Sequence, residues 1–427
     1  MMKRRLFRPP KRKSRRRKFY PIFVVLLIFV SCFYGRFDVV TGFERNNGIA
    51  YATSSVEAES TEELEEMLQE EIDKQIGNLD FSGIEDIISK LSTDAKNLFN
   101  SNSFVEKVSY VISGEYAENS ENFFSAVLSI FWQGLKDYLP IIGSIISISI
   151  LGGMISNLKP NTNGKSVGNI IHFVTYGVVI IFLGVSLVEI IKVTTTILTS
   201  VKNMFDGIFP ILLTLLTAVG GTVSVGIYQP AIALLSNVFI SLITYILLPL
   251  FIFSMVFSIV GNLSNNIKLD KFVSFLQGAF KWTIGLCFTI FLGFVSIQGI
   301  MAGAVDGLSI RTAKYAIKSY IPVVGGYVSD GLSIIMASSM LIKNAVGGVG
   351  LFLLFSSVIS PVINLAIFIL SLKFMAGIIE PIGDKKTANF ISDISKSLSL
   401  LVALLVAVSF MYLVMTGLIM CSANLVI

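Results

Sequence analysis

Long apolar runs recur through the last two thirds of this chain and constrain its fold more than any other feature. From residue 138 onward they repeatedly reach the roughly 20 residues that a helix needs to cross a bilayer. In lipid, a helix satisfies its own backbone hydrogen bonds, whereas an open sheet leaves unpaired edges. The sequence therefore predicts an all-α, polytopic membrane bundle with seven or eight transmembrane helices.

Seven of these runs are long enough to be predicted as spans. They are Tyr138–Leu158, Asn169–Ile191, Ile208–Val225, Ala231–Val260, Trp282–Ala304, Leu351–Leu372 and Leu398–Met420. An eighth run, Leu332–Ala345, is shorter and contains Lys343. Three placements of this run stay open: it spans the membrane, it re-enters it or it lies flat on its surface.

Composition agrees with the membrane assignment. Hydrophobic residues make up 53% of the chain and charged residues only 14%, and the mean hydropathy is +0.77. In a soluble domain, about a quarter of all residues are charged. An ordinary soluble domain is therefore excluded.

The charges divide the chain into three predicted domains. Residues 1–18 hold eleven Lys or Arg and no acid, and the apolar run FYPIFVVLLIFVSCFY follows. This order is typical of a signal peptide or signal anchor whose basic end stays in the cytoplasm. Residues 44–137 hold nineteen acids against six bases, so we expect them on the opposite side of the membrane. The domains are 1–52 (basic N-terminus and signal), 53–137 (acidic, helical, extracytoplasmic) and 138–427 (transmembrane).

The basic N-terminus is interpreted through membrane topology. A basic tail that binds nucleic acid is expected on a soluble domain, so we predict the lipid bilayer and no nucleic acid as its partner. Small residues around Ala52 offer a cleavage site, although it lies far downstream of the apolar run. Cleavage and retention of the signal both stay open.

Helical periodicity is present in the acidic segment. Leu64, Leu68, Ile72 and Ile76 recur every four residues behind the capping-box pair Ser60 and Glu63. A second apolar face comprises Ile84, Ile87, Ile88, Leu91 and Leu98, and a third helix is expected from Asn122 toward Pro140. These residues are too few for a large independent core. They predict a small cap that folds back on the membrane domain or a docking surface for other proteins, and the two are compatible.

A weak internal repeat surrounds three prolines. KDYLPIIGSI at 136–145, KSYIPVVGGY at 318–327 and DGIFPILLTL at 206–215 share an aromatic, an aliphatic residue and a proline in series. Because proline is tolerated in the first turn of a helix, each copy is interpreted as the point where a helix enters the membrane. The alternative is a duplication like that of transporters with interrupted helices. Gly-Gly pairs at Gly152, Gly220, Gly325 and Gly347 predict close helix approach or backbone breaks.

The charged residues near the predicted spans allow two interpretations. Among these residues, Glu189, Asp330 and Lys343 lie deepest within the apolar segments. A charge that faces lipid at such a depth is unfavourable. They are expected either at loops and interfaces or in a proton or ion relay.

Enzyme chemistry is not expected. His172 is the only histidine, the three cysteines lie in apolar segments without a CxxC pair, and HExxH, GxSxG and GxxxxGK[ST] motifs are absent from the sequence. We therefore predict no catalytic, cofactor-binding or metal site, and no cofactor.

One stretch of the chain resembles a known family. The stretches DGLSIRTAKYAIKSYIPVVGGYVSDG, SSMLIKNAVGGVG and EPIGD are similar to those of the stage III sporulation protein AE family of endospore-forming Firmicutes. The similarity extends from about Ser60 to the C-terminus and is highest between Asp306 and Gly350. The basic N-terminal extension departs from the family pattern.

The resemblance implies a function in sporulation. It implies a multi-pass protein of the mother-cell-derived membrane around the forespore, in a secretion-like channel complex, or feeding tube, required for forespore development. The implied partners are other proteins of the stage III sporulation A operon, including a cytoplasmic ATPase and ring-forming membrane proteins, and a forespore-side channel protein. A homo-oligomer or a hetero-complex is expected. The family motif assigns no catalytic residues.

The matched region supplies a hypothesis for a gating or pathway element. Its candidate residues are Asp306, Arg311, Lys314, Lys318, Pro322, Gly325, Gly326, Asp330 and Lys343. Arg311, Lys314 and Lys318 are spaced to share one helical face. Pro322 is expected to start or break the next helix, and the glycines are expected to let it bend or re-enter. The alternative is an ordinary amphipathic connecting loop.

Two function classes follow from the sequence. The first is a membrane component of the channel complex. The second is a stand-alone secondary transporter or permease of a small solute, which the seven or eight spans and the weak repeat favour.

Overall fold

The structure is a computed structural model of the chain. It describes residues 61–99, 103–114, 120–157, 164–263, 269–320 and 325–422. The predicted signal in 1–52, the capping residue Ser60 and the candidate Pro322 lie outside the described residues. Within the described part, every regular element is a helix, so the all-α prediction is confirmed.

Four short helices come first. They are α1 (Thr61–Asn78), α2 (Ser82–Ser89), α3 (Thr93–Phe99) and α4 (Phe104–Ser113). The sequence predicted α1, but it treated the residues of α2 and α3 as one face and missed α4. The signals for α4 are present, since the Ser103 side chain accepts a hydrogen bond from the Glu106 N–H and Gly114 ends the helix with φ 80°.

Long helices form the rest of the molecule. They are α5 (Ser120–Asn157), α6 (Gly164–Ala218), α7 (Thr222–Leu242), α8 (Leu248–Leu263), α9 (Asp270–Tyr320), α10 (Gly325–Ile382) and α11 (Lys385–Cys421). A π-helical segment, Ile243–Leu247, joins α7 to α8 without a break. Six stretches of the described residues are long and apolar enough to cross a membrane: α5, α6, the joined α7 and α8, α9, α10 and α11.

The predicted spans therefore merge into fewer, longer helices. Asn169–Ile191 and most of Ile208–Val225 lie in α6, and the two runs Leu332–Ala345 and Leu351–Leu372 lie in α10. No helix break separates either pair. The glycines at 347–350 do not interrupt α10, because they pack against other helices: a Cβ on Gly350 would lie 3.0 Å from Ile208 of α6. Two Gly-Gly pairs do accompany described helix termini: Gly220, with φ 94°, follows the end of α6, and Gly325 is the first residue of α10.

Two prolines contradict the prediction that each marks the start of a helix. Pro140 lies inside α5 and Pro210 lies inside α6. Each proline carbonyl accepts a second bond from a hydroxyl four residues later, at 2.9 Å from Ser144 and at 3.0 Å from Thr214. Because neighbouring helices and Ser or Thr side chains accommodate proline in membrane helices, the sequence rule for a first-turn proline does not apply here.

Helix α10 is the centre of the bundle. It packs against α11, α6, α5 and α9, and also against the short helices α1, α3 and α4. Every residue from Ile342 to Gly350 is buried. Helix α11 turns back along α10 after Gly383, and the side chain of Asp384 caps it by accepting the Thr387 N–H at 3.1 Å.

The short helices fold back on the long ones, as the cap interpretation expected. Leu68 of α1 forms a buried cluster with Ile334 and Ala337 of α10. The Phe99 ring of α3 lies 6.1 Å from the Phe352 ring of α10. We call the four helices α1–α4 the cap.

Close contact at one glycine fixes the position of α5. A Cβ on Gly153 would lie 2.5 Å from the Gly383 Cα and 2.8 Å from the Ile382 carbonyl oxygen, in the turn between α10 and α11. These are backbone atoms, so a side chain at 153 forces the two elements apart.

Gly153→Ala is therefore expected to destabilise the bundle by about 1–3 kcal/mol, the usual effect of overpacking. Thermal unfolding of the purified protein in detergent measures the effect. Gly143→Ala on the same helix is the matched control, since no atom lies within 4 Å of its added Cβ. Equal melting temperatures for the two variants would contradict the contact.

Candidate functional site

The structure separates the predicted gating residues into two groups. Arg311, Lys314 and Lys318 lie near the end of α9, whereas Gly325, Gly326, Asp330 and Lys343 lie on α10. Asp306 belongs to α9, but its side chain is outside the described residues. The end of α9 and the start of α10 contact each other through Lys318 and Asp330.

The basic residues of α9 share one helical face, as predicted. Arg311 and Lys318 are exposed and Lys314 is half-buried. The Lys318 ammonium lies 3.7 Å from the Asp330 carboxylate of α10, so this ion pair joins the two helices. Burial and the neighbouring Lys318 charge lower the pKa of Lys314, while Asp330 opposes the shift. This face is therefore a cationic surface with one acid beside it.

Helix α10 has no break at the glycines that the sequence predicted to bend it or let it re-enter. Gly325 is the first residue of a helix that continues without interruption to Ile382. A Cβ on Gly326 or Gly331 would meet no atom within 4 Å, so neither glycine is required by a close contact. The connecting-loop alternative is also wrong for 311–320, because these residues are helical.

Lys343 belongs to a different part of the molecule from the basic face. It lies thirteen residues after Asp330, which corresponds to about 20 Å along a helix. Its side chain is fully buried, and its ammonium donates a hydrogen bond to the backbone oxygen of Ser422, just after α11. The Ser422 hydroxyl in turn donates to the Tyr228 hydroxyl of α7 at 2.9 Å.

This contact gives Lys343 a physical role. The last carbonyls of a helix have no partner within the helix and carry a partial negative charge. The positive charge of the Lys343 ammonium is attracted to this partial negative charge at the end of α11, and its N–H group donates a hydrogen bond there. Lys343 therefore ties α10 to α11 and, through Ser422, to α7.

The sequence did not identify a second buried lysine, Lys107 of α4. Its ammonium donates to the backbone oxygen of Phe99, the last residue of α3. It also lies over two aromatic rings, 4.3 Å from the centroid of Phe99 and 4.6 Å from that of Phe352 on α10. The sequence does contain a signal for its burial. Phe104, Lys107 and Val108 are spaced three and four residues apart, so Lys107 lies on the apolar face of the helix.

Polar contacts also attach the cap to α10. The Gln75 side chain donates to the Ser338 hydroxyl at 3.0 Å and accepts from the Ser339 hydroxyl at 2.7 Å. Further along α10, the Ser360 hydroxyl donates to the Asp94 carboxylate at 2.8 Å. The cap therefore covers α10 from about residue 334 to residue 360, a length of about 39 Å.

The charged side chains of this region make contacts between helices of the bundle. Among the described residues, no three His, Cys, Asp or Glu side chains lie together in a way that could hold a metal ion. The charged side chains instead connect helices, through Lys318 and Asp330, through Lys343, and through Lys107.

Lys107 predicts a measurable pH dependence. Burial lowers the pKa of Lys107 to about 8. Between about pH 8 and pH 10.5, the unfolded chain keeps a proton that the folded chain has released, so this lysine makes the folded state more stable as the pH rises. From pH 8 to pH 9.5 the expected gain is about 2 kcal/mol.

Lys107→Met is expected to remove this gain, and unfolding in denaturant at the two pH values measures it. Lys90→Met is the control, because Lys90 is exposed and its ammonium pairs with Asp86 of the helix that it follows. If Lys107→Met and wild type respond equally to pH, the lysine does not carry the dependence.

Comparison with known proteins agrees with the resemblance found in the sequence. The family model of stage III sporulation protein AE matches residues 102–423, which include α4 to α11. A relative from Bacillus subtilis (strain 168), stage III sporulation protein AE, is 26% identical over 401 residues, which cover 94% of this chain and 97% of the relative. No solved structure matches the chain.

The matched region thus contains the basic face of α9, the whole of α10 and both buried lysines. These are the elements that connect the helices of the bundle. The match extends over well more than half of the chain, and the chain belongs to the stage III sporulation protein AE family.

Proposed function

We propose that this protein is an integral membrane component of the secretion-like channel complex that links mother cell and forespore and is required for forespore development. The family match over residues 102–423 carries the proposal. The six apolar stretches support a multi-pass location in the mother-cell-derived membrane around the forespore. In this function the protein is not an enzyme, and a cytoplasmic ATPase of the same operon supplies the energy.

The cap is the proposed docking surface for partners. Leu68 and Ile72 of α1 are buried against the bundle, which leaves Glu65, Glu66 and Asp73 exposed. We propose that this acidic face lies on the extracytoplasmic side of the membrane. Ring-forming proteins of the complex and the forespore-side channel protein are the proposed partners on this side of the membrane.

The basic face of α9 is the proposed pathway or gating element. Arg311 is exposed at the same end of the bundle at which Lys318 pairs with Asp330. An ion pair between two helices is a contact that can break and reform when partners move them. The proposed movement is a change in the α9–α10 contact.

The first test of the proposal is a mild-detergent pull-down of the tagged protein from sporulating cells, followed by mass spectrometry. Recovery of the ATPase and the ring-forming proteins is expected. Recovery of the protein alone, under conditions that preserve other membrane complexes, would instead favour a stand-alone secondary transporter, and small-solute binding would then be measured.

The second test removes two charges from the basic face. The double variant Arg311→Gln with Lys314→Gln is expected to leave the pulled-down complex intact. It is expected to reduce the count of heat-resistant spores by about tenfold, which lies within the range of effects that a coupling free energy between two sites produces. Lys271→Gln, at the opposite end of α9, is the control and is expected to sporulate normally. Normal sporulation of the double variant would exclude a gating role for this face.

A further inference from the structure

A groove of about 400 Å³ lies between α9 and α11, away from the cap and the basic face. Its apolar wall consists of Phe280, Ile284 and Phe288 of α9 and Leu400 and Ala403 of α11. The Phe288 ring also stacks on Phe410 of α11, with a centroid distance of 5.6 Å. The groove is therefore an apolar depression between two helices on the outer surface of the bundle.

One cation borders this groove. Lys281 belongs to its lining and is exposed. It lies within Asp270–Gln298, a stretch long and apolar enough to cross the membrane. A lysine at such a position is unfavourable unless its ammonium reaches a counter-charge or the headgroup level.

No described side chain provides that counter-charge. Among the described residues, no ion pair involves Lys281, and the Asp393 carboxylate of α11 pairs with Lys396 at 2.7 Å. An apolar surface groove with an exposed cation at its edge is complementary to a molecule with an acyl chain and a negative charge. Basic pockets between membrane helices bind anionic lipid headgroups in this way.

We propose that this groove binds an anionic phospholipid, with one acyl chain against Phe280, Ile284 and Phe288 and the phosphate at Lys281. From residue 280 to residue 289 the groove extends over about 13 Å. That length is less than half of the ~30 Å that a crossing helix of another protein presents, so a lipid chain fits better than a helix. The site does not depend on the proposed channel function.

A tryptophan next to the groove allows a direct test. Trp282 is adjacent to Lys281 and 70% exposed, and the chain has two tryptophans, of which the other is Trp132. In a Trp132→Phe background, full-length protein is reconstituted with lipids that carry brominated acyl chains, which quench tryptophan fluorescence on contact. The quenching is compared for brominated phosphatidylglycerol and brominated phosphatidylcholine.

The protein is expected to prefer phosphatidylglycerol about fivefold, the factor that one lysine near a membrane surface supplies. Lys281→Gln is expected to reduce this preference to about one. Ala403→Phe fills the groove but keeps the lysine, and it is expected to reduce the preference as well, because the acyl chain cannot enter.

Lys271→Gln is the matched control, because it removes a lysine of the same helix that does not line the groove. It is expected to keep the fivefold preference. Equal quenching by the two lipids in the starting protein would overturn the proposal. So would equal losses for Lys281→Gln and Lys271→Gln, which would indicate a general effect of surface charge, or full preference in Ala403→Phe. Size-exclusion profiles verify that each variant stays folded.

Discussion

The enclosure of the middle of α10 is the constraint on which the rest of the structure depends. From Ile342 to Gly350 each residue is buried, and long helices and the cap together provide the surrounding surface. Close approach at this level requires small residues: a Cβ on Gly347 would lie 3.0 Å from the Met420 side chain. In a membrane, where helix association depends on packing more than on the exclusion of water, such contacts determine how helices pair.

Buried positive charge provides a hydrogen-bond donor to two helix ends. Helix α3 ends at the buried Phe99, whereas α11 ends at the exposed Cys421, which the half-buried Ser422 follows. Lys107 donates to the end of α3 and Lys343 donates to the end of α11. The two lysines lie in different parts of the fold, yet each joins a helix terminus to a neighbouring helix.

Local sequence signals predicted α1 and the long apolar helices, but not the other short helices or the lengths and partners of the long ones. Hydropathy predicted every apolar segment because it needs only neighbouring residues, and the periodicity of Leu68 and Ile72 predicted α1. Pro140 and Pro210 were misinterpreted because packing in the bundle overrides the preference of proline for a first turn. The partner of Lys343 lies 79 residues away in the sequence, so only the tertiary pairing of α10 with α11 identifies it. For the same reason, the sequence grouped Lys343 with the basic residues of α9, although the fold separates them.

The length of α10 has a geometric consequence. Its 58 residues correspond to about 87 Å, nearly three times the ~30 Å thickness of a bilayer core. A continuous helix of this length cannot lie wholly within the hydrocarbon layer along the membrane normal. It must either extend beyond the bilayer core or cross it at a steep tilt.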